Sequence, residues 1–184
     1  VARLVGMTMQ CIIQPEETAV LTVPQTQPRP ARPYAFISYT VPMSAVAKPA
    51  DEGFPALFAW LGQHGIAPVG APFYNYRRID MAATLEIEAG VEVEAAGQGD
   101  GPVQFGTLPA GNFVSTTHTG PYDQLYDATA MLIGWAKERG IAWDMTPAAD
   151  GDHFACRLEI YETDPSEVPD PADWVTRLEI KTAD

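Results

Sequence analysis

Hydrophobic and polar positions in this chain recur with two different periods. Tyr34 to Val41 (Y-A-F-I-S-Y-T-V) alternates as a strand does. Phe54, Leu57, Phe58 and Leu61 instead recur at i, i+3, i+4 and i+7, one apolar stripe of a helix. Pro55 suits the first turn of that helix, and Gly65 suits its stop. Phe73 to Arg77 and Thr84 to Val93 read as strands. Beyond a Gly-rich turn at Gly97 to Pro102 the order repeats. Val103 to Thr107 and Asn112 to Thr117 are strands, Gly120 and Pro121 open a helix that runs to about Arg139, and Gly140 stops it. Arg157 to Tyr161 and Val175 to Lys181 complete the set, around a Pro- and acid-rich loop from Asp164 to Asp173. At the N-terminal end, residues 1–16 carry little pattern and Thr18 to Val23 is a short β-branched strand. The four prolines between Pro24 and Pro33 make that stretch a turn or extended loop, and Pro42 to Gly53 is a loop.

The two helix ends carry matching sequences. Ala59 to Ala67 reads A-W-L-G-Q-H-G-I-A, and Gly134 to Ala142 reads G-W-A-K-E-R-G-I-A. Trp60 matches Trp135, Gly65 matches Gly140 and Ile66 matches Ile141, all at one interval, and Leu57 and Phe58 fall on Leu132 and Ile133. An internal duplication of a strand–helix–strand–strand unit is the expectation. The fold class expected is α+β, with pseudo-twofold symmetry, in a single domain spanning 1–184. Its first module covers about 17–97 and its second about 103–182. Each small sheet would cover one face with its own helix, and the remaining faces would meet across a central ligand cleft.

Composition narrows the function. The chain has 184 residues, 46% of them hydrophobic, enough for a core. No run of eighteen apolar residues occurs, so no membrane span is expected. The net charge of −13 repels phosphate backbones, and no basic stripe offsets it, so no nucleic-acid partner is expected. Cys11 and Cys156 are too far apart in sequence for a C-x-x-C motif and read as reduced thiols of a cytoplasmic protein. His64, His118 and His153 form no paired metal motif, the serines lack a G-x-S-x-G setting, and no Gly-rich phosphate loop is present. No metal and no cofactor are implied.

Several stretches together resemble the GyrI-like small-molecule-binding family, whose domains also serve as effector-binding parts of bacterial transcription regulators. They are Leu108 to Leu125 (L-P-A-G-N-F-V-S-T-T-H-T-G-P-Y-D-Q-L), Trp135 to Ile141, Leu158 to Pro165 (L-E-I-Y-E-T-D-P) and Trp174 to Ile180. Thr40 to Met43 and Gly90 to Val93 fit the first half, and the resemblance runs from about Tyr34 to Thr182. It implies a duplicated module around a cleft for bulky aromatic or lipophilic molecules, often cationic. The family's E-x-Y position falls on Glu159, with Tyr161 two residues on, and the family's second Glu falls on Glu179. Two departures stand out: Lys181 occupies a place where members often carry an aromatic residue, and Asp150 to His153 (D-G-D-H) replaces a short apolar approach.

Alternation puts Glu159 and Tyr161 on one strand face and Leu158 and Ile160 on the other. Tyr74 and Tyr76 share a face of the matching strand in the first half, and Tyr39, Tyr122 and Tyr126 are within reach of the same cleft, with core or rim packing the plain reading for the last two. The candidate ligand-binding residues are therefore Glu159, Tyr161, Glu179, Tyr74, Tyr76 and Tyr39. A half-exposed sheet with solvated charges is the plain alternative for each carboxylate. Trp60 and Trp135 are read as core. The leading function is binding of a bulky lipophilic or aromatic, possibly cationic, small molecule, for sensing, sequestration or detoxification. The short stretch before the resemblance favours a stand-alone binder over a regulator with its own DNA-binding region. An alternative is a hydrolase of strained electrophilic natural products, with Glu159 as catalytic group beside a Tyr. A further alternative is a protein-binding modulator such as a gyrase inhibitor.

Overall fold

The structure, a computed structural model, describes residues 20–183. The patternless first sixteen residues, Cys11 and the start of the Thr18 to Val23 strand lie outside the described residues. The strands are β1 (Val20–Leu21), β2 (Gln25–Arg29), β3 (Arg32–Val41), β4 (Phe73–Ile79), β5 (Leu85–Glu92), β6 (Val103–Leu108), β7 (Gly111–Thr119), β8 (Met145–Ala148), β9 (Gly151–Phe154), β10 (Arg157–Tyr161) and β11 (Val175–Lys181). Two α-helices accompany them, α1 (Phe54–Gln63) and α2 (Leu125–Glu138). The chain is thus mixed α+β, dominated by antiparallel pairing.

All the strands belong to one sheet, whose main path runs β7-β11-β10-β4-β5-β3. Its two halves meet edge to edge, where β10 pairs with β4 through Leu158↔Asn75, Glu159↔Tyr74 and Ile160↔Phe73. At the far ends, β2 pairs with β7 and β6 pairs with β3. These two ladders share one register, from Gln25↔Ser115 to Arg29↔Gly111 and on from Arg32↔Leu108 to Ile37↔Val103. The stretches 25–37 and 103–115 are therefore two long bent strands that pair with each other and close the sheet on itself. Closure removes most of the exposed edge that an open sheet would leave.

Closure also gives the sheet an inner and an outer face, and alternation assigns each residue to one of them. Tyr34, Phe36, Phe73, Leu108, Phe113, Leu158 and Ile160 pack together on the inner face. Gly90 leaves room for the Phe73 ring there; a Cβ at that position would come within 3.0 Å of it. On the outer face, Leu57 and Leu61 of α1 pack on Ala35, Ile37 and Val91, while Leu125, Ala128 and Leu132 of α2 pack on Val114, Leu178 and Ile180. Each fully buried Leu stabilises the fold by roughly 1.5–3 kcal/mol. Both helices end alike. Gly65 and Gly140 adopt φ of 66° and 65°, and the Ile66 and Ile141 amides each donate 3.0 Å back to a carbonyl of the helix, Leu61 and Ala136. Trp60 and Trp135 sit in those last turns and pack against the two helix-side clusters.

The structure corrects or extends four readings of the sequence. The proline-rich stretch after Pro24 contains the strand β2, because Pro28 sits on an outermost strand where a missing N–H need not break the ladder. Met43–Ala45 and Pro49–Gly53 are helical turns, the second a π-helical turn leading directly into α1, where a loop is the sequence expectation. Asp150 to His153 belongs to the β8–β9 hairpin, which docks on β4 through Arg78↔His153. Lastly, the halves join edge to edge through the β10–β4 ladder as well as through their inner faces, where Tyr34, Phe36 and Phe73 pack against Phe113, Leu158 and Ile160. The surface that spans their junction is the outer one, which carries both helices.

Candidate functional site

Glu159 lies at that junction. The pairing Glu159↔Tyr74 puts its side chain on the outer face, between α1 and α2. The Tyr161 hydroxyl donates to one carboxylate oxygen at 2.7 Å, and the Tyr76 hydroxyl donates to the other at 3.2 Å. Tyr161 reaches Glu159 because residues two apart on a strand share a face. Tyr76 reaches it from the neighbouring strand β4.

The rings form one connected group. Tyr161 lies 5.3 Å from Tyr74, 5.3 Å from Tyr122 and 5.9 Å from Phe54, each edge-on, and Tyr74 meets Tyr76 edge-on at 6.0 Å. Tyr122 extends the group to Trp174 at 4.5 Å. The Tyr74 hydroxyl donates to the Val46 carbonyl at 3.0 Å, which ties the segment before α1 to the site. Behind the carboxylate, the Arg157 guanidinium sits 5.8 Å from the Tyr76 ring centre and 5.0 Å from that of Phe154.

Burial dominates the electrostatics. It pushes the Glu159 carboxyl above its ordinary value; the Tyr161 and Tyr76 hydroxyls and the Arg157 charge pull the other way without cancelling it. Burial, followed by the Glu159 charge, holds the Tyr76 and Tyr161 phenols well above their usual range. Burial lowers Arg157, partly offset by Tyr76 and Glu159. A cavity of about 10 Å³ is lined by Tyr76, Thr129, Leu132, Arg157, Glu159 and Leu178, among others. That is space for about one water molecule.

Of the residues singled out in the sequence, Glu159, Tyr161, Tyr74 and Tyr76 come together. Tyr39 is half-buried on the outer face and packs among the residues under α1 and β5, with no bond to Glu159. Glu179 is elsewhere: Leu158↔Glu179 and Glu159↔Leu178 are register partners, so Glu179 points to the inner face. There it is fully buried and held by Arg29, by Arg177 at 2.5 Å and by Arg32 at 3.6 Å. Tyr122, within reach of the cleft in the sequence reading, and Arg157, a neighbour of Glu159 in the chain, join the Glu159 surroundings, as do Phe54 and Trp174, which were not singled out as site residues. The sequence signal for Phe54 was its place on the helical stripe, which reads equally as core. Among the described residues, no group of three or more His, Cys, Asp or Glu could hold a metal ion, and no helix is long and apolar enough to cross a membrane.

Comparison with known proteins decides the family. The family profile of the GyrI-like small molecule binding domain matches residues 24–182. The chain belongs to the GyrI-like family. Among solved structures, the GyrI-like chain is similar to the crystallised EcmrR C-terminal domain, with a TM-score of 0.65 at 20% identity over 88% of this chain and 97% of that one. It is also similar to EcmrR in an EcmrR–DNA complex, with a TM-score of 0.66 at 19% identity, again over 88% of this chain; here it spans only 57% of the other. A third similar structure is SAV2435 bound to tetraphenylphosphonium, with a TM-score of 0.54 at 8% identity over 88% of this chain and 94% of that one. At these identities the likeness concerns the fold. No curated protein sequence matches the chain.

Proposed function

We propose that this GyrI-like chain binds a bulky lipophilic or aromatic cation over Glu159, between α1 and α2. The observation that carries the reading is a carboxylate bonded by two tyrosine hydroxyls and set among the rings of Tyr74, Tyr76, Tyr161 and Tyr122. Aromatic faces attract a cation by about 0.5–2 kcal/mol each. An ionised carboxylate with its charge reduced in hydration adds a stronger attraction. The family membership supports a small-molecule site. SAV2435, a similar fold, is bound to tetraphenylphosphonium, a lipophilic cation. A bulky ligand does not fit a cavity of about 10 Å³, so binding requires the Tyr161–Tyr122–Phe54 rings to move apart.

The test uses tetraphenylphosphonium as probe, with melting temperature and calorimetric affinity measured for the parent and for Glu159→Gln. The expected result is saturable binding with a higher melting temperature, weakened in the variant by ~1–3 kcal/mol, the scale of a charge–charge attraction across several ångströms at partial burial. Equal binding by both proteins overturns the assignment of Glu159. Binding to the ionised carboxylate also displaces its proton, so affinity should rise as pH climbs through the raised Glu159 value.

The raised Glu159 carboxyl favours a second reading, in which it acts as general acid or base in a hydrolase of strained electrophilic compounds. Turnover of an electrophilic ligand that falls far more than affinity in Glu159→Gln would select this reading. We also infer that the chain is one domain made by duplication. From either end of the order β7-β11-β10-β4-β5-β3 come the strand before a helix, the last strand of that half and the one preceding it, and both helices carry a Trp in the last turn and are followed by a positive-φ Gly. Cytoplasmic action on more than one such ligand belongs to the same proposal.

A further inference from the structure

A larger cavity lies on the inner face, away from Glu159. Its volume is about 220 Å³, and it is lined by Ser38, Tyr39, Thr40, Arg77, Glu86, Ile87 and Glu88. The register explains its position. Ser38 faces Glu88 and Thr40 faces Glu86 across the β3–β5 ladder, so these four side chains share the inner face. β6 covers β3 only as far as Ile37↔Val103, and beyond it the mouth of the closed sheet is open. Tyr39 and Ile87 also line it, although alternation assigns their side chains to the outer face.

Glu88 is the organised group of this cavity. Its side chain is 13% exposed. One carboxylate oxygen accepts from the Tyr34 hydroxyl at 2.6 Å and from the Asn75 amide at 2.8 Å. The other meets only the Arg77 Nε, at 3.7 Å, which is beyond hydrogen-bond distance. Arg77 is itself engaged, donating to the Ala155 carbonyl at 2.6 Å. Glu86 gives one oxygen to Arg78 at 3.0 Å and is half exposed. Among the described residues, the Ser38 and Thr40 hydroxyls make no hydrogen bond. The cavity therefore offers acceptors that the protein leaves unused: one oxygen of Glu88, one of Glu86 and two hydroxyls. Arg77 lines the cavity and Arg78 answers Glu86 at its edge, so the free Glu88 oxygen, rather than a net charge, is what would draw a cation.

We propose that this mouth is a second binding site, for the ammonium group of a small hydrophilic amine, with the free Glu88 oxygen as principal acceptor and Glu86, Ser38 and Thr40 around it. An ammonium carries three N–H donors and no acceptor, which matches this set of groups. Tyr39, the one aromatic residue of the lining, is assigned by alternation to the other face, so a lipophilic cation of the kind proposed for Glu159 finds no group of rings here. The two sites differ in ligand chemistry, and this one does not depend on the reading of the first.

The probe is 1,4-diaminobutane, with butane-1,4-diol as its uncharged counterpart, titrated by calorimetry at low salt. The parent should bind one diamine saturably and show no heat of binding with the diol. Glu88→Gln retains an acceptor for Tyr34 and Asn75 and should weaken the diamine about tenfold or more. Thr40→Leu changes an exposed side chain and fills the cavity, so it tests the site without disturbing the buried network; it should weaken binding to a similar extent. Glu159→Gln should leave diamine affinity unchanged. Equal binding of diol and diamine, full affinity in both the Glu88 and Thr40 variants, loss of affinity in Glu159→Gln, or no saturation by about 10 mM diamine would each overturn the proposal.

Discussion

Arg157-Leu158-Glu159-Ile160 and Arg177-Leu178-Glu179-Ile180 are the same four residues in the same order, carried on neighbouring strands. Their carboxylates nevertheless meet opposite surroundings. Glu159 projects outward among tyrosine rings, with two phenol donors, and burial raises its carboxyl. Glu179 projects inward and is ringed by Arg29, Arg32 and Arg177. The cause is register: each Glu pairs across the ladder with the other strand's Leu, and side chains opposite each other share a face. An identical local sequence thus supplies a poised carboxylate on one strand and a structural ion cluster on the next. The charge of one is incompletely compensated, and on that the proposed ligand site rests. The other holds β2 and β3 against β11, because Arg29 and Arg32 come from the bent strand that closes the sheet.

The contrast can be broken most forcefully at the inner carboxylate. Glu179→Ala strands three guanidiniums around an empty place and should destabilise the protein by about 3 kcal/mol, the low end for a broken buried pair because the arginines keep some access to solvent. Urea unfolding measures this; a loss under about 1 kcal/mol would mean that the cluster is ornamental to stability.

At the outer carboxylate, Glu159→Gln should do the reverse. A raised folded value means that the fold favours the protonated acid. That contribution is fully present below the ordinary carboxylate value of 4.5 and is lost as pH rises through the folded value. The parent should therefore lose stability relative to Glu159→Gln as pH rises above 4.5 and through the raised folded value. Parallel pH–stability curves for the two proteins would contradict the burial argument.

A smaller effect is expected from Tyr161→Phe, which removes the 2.7 Å donor and keeps the ring. Stability should change by about 1 kcal/mol. The Glu159 carboxyl should move further up, read by NMR titration, because the lost hydroxyl favoured the charged form. An unchanged or lower Glu159 value would show that Tyr161 does not serve the carboxylate.

The smallest effect belongs to Glu162→Gln. Glu162 meets Arg177 at 2.8 Å but is 37% exposed, so its pair should contribute about 0–1 kcal/mol. A loss matching that of Glu179→Ala would place the weight of the cluster on its rim.

The sequence by itself determined the elements and the kind of fold. Periods of two and 3.6 marked β3, β4, β5, β7, β10 and β11 and both helices, because burial of one face imposes those periods directly on the order of residues. It determined the helix stops as well, since only glycine adopts the positive φ of Gly65 and Gly140 at little cost. It also brought Glu159, Tyr161, Tyr74 and Tyr76 onto one list, through strand alternation and family resemblance. Tertiary structure alone decided which carboxylate faces which surroundings. Alternation says that Glu159 and Leu158 oppose each other, and likewise Glu179 and Leu178, but not which side of the sheet each pair member takes; the register between β10 and β11 fixes that, and it is a property of two strands. Tertiary structure likewise made β2 a strand despite its proline, because the partner that completes its ladder, β7, is remote in sequence. The closing of the sheet, the arginine ring around Glu179 and the cavity beside Glu88 all follow from such pairings. They rest on contacts between residues far apart in the chain, which leave no periodic trace in it.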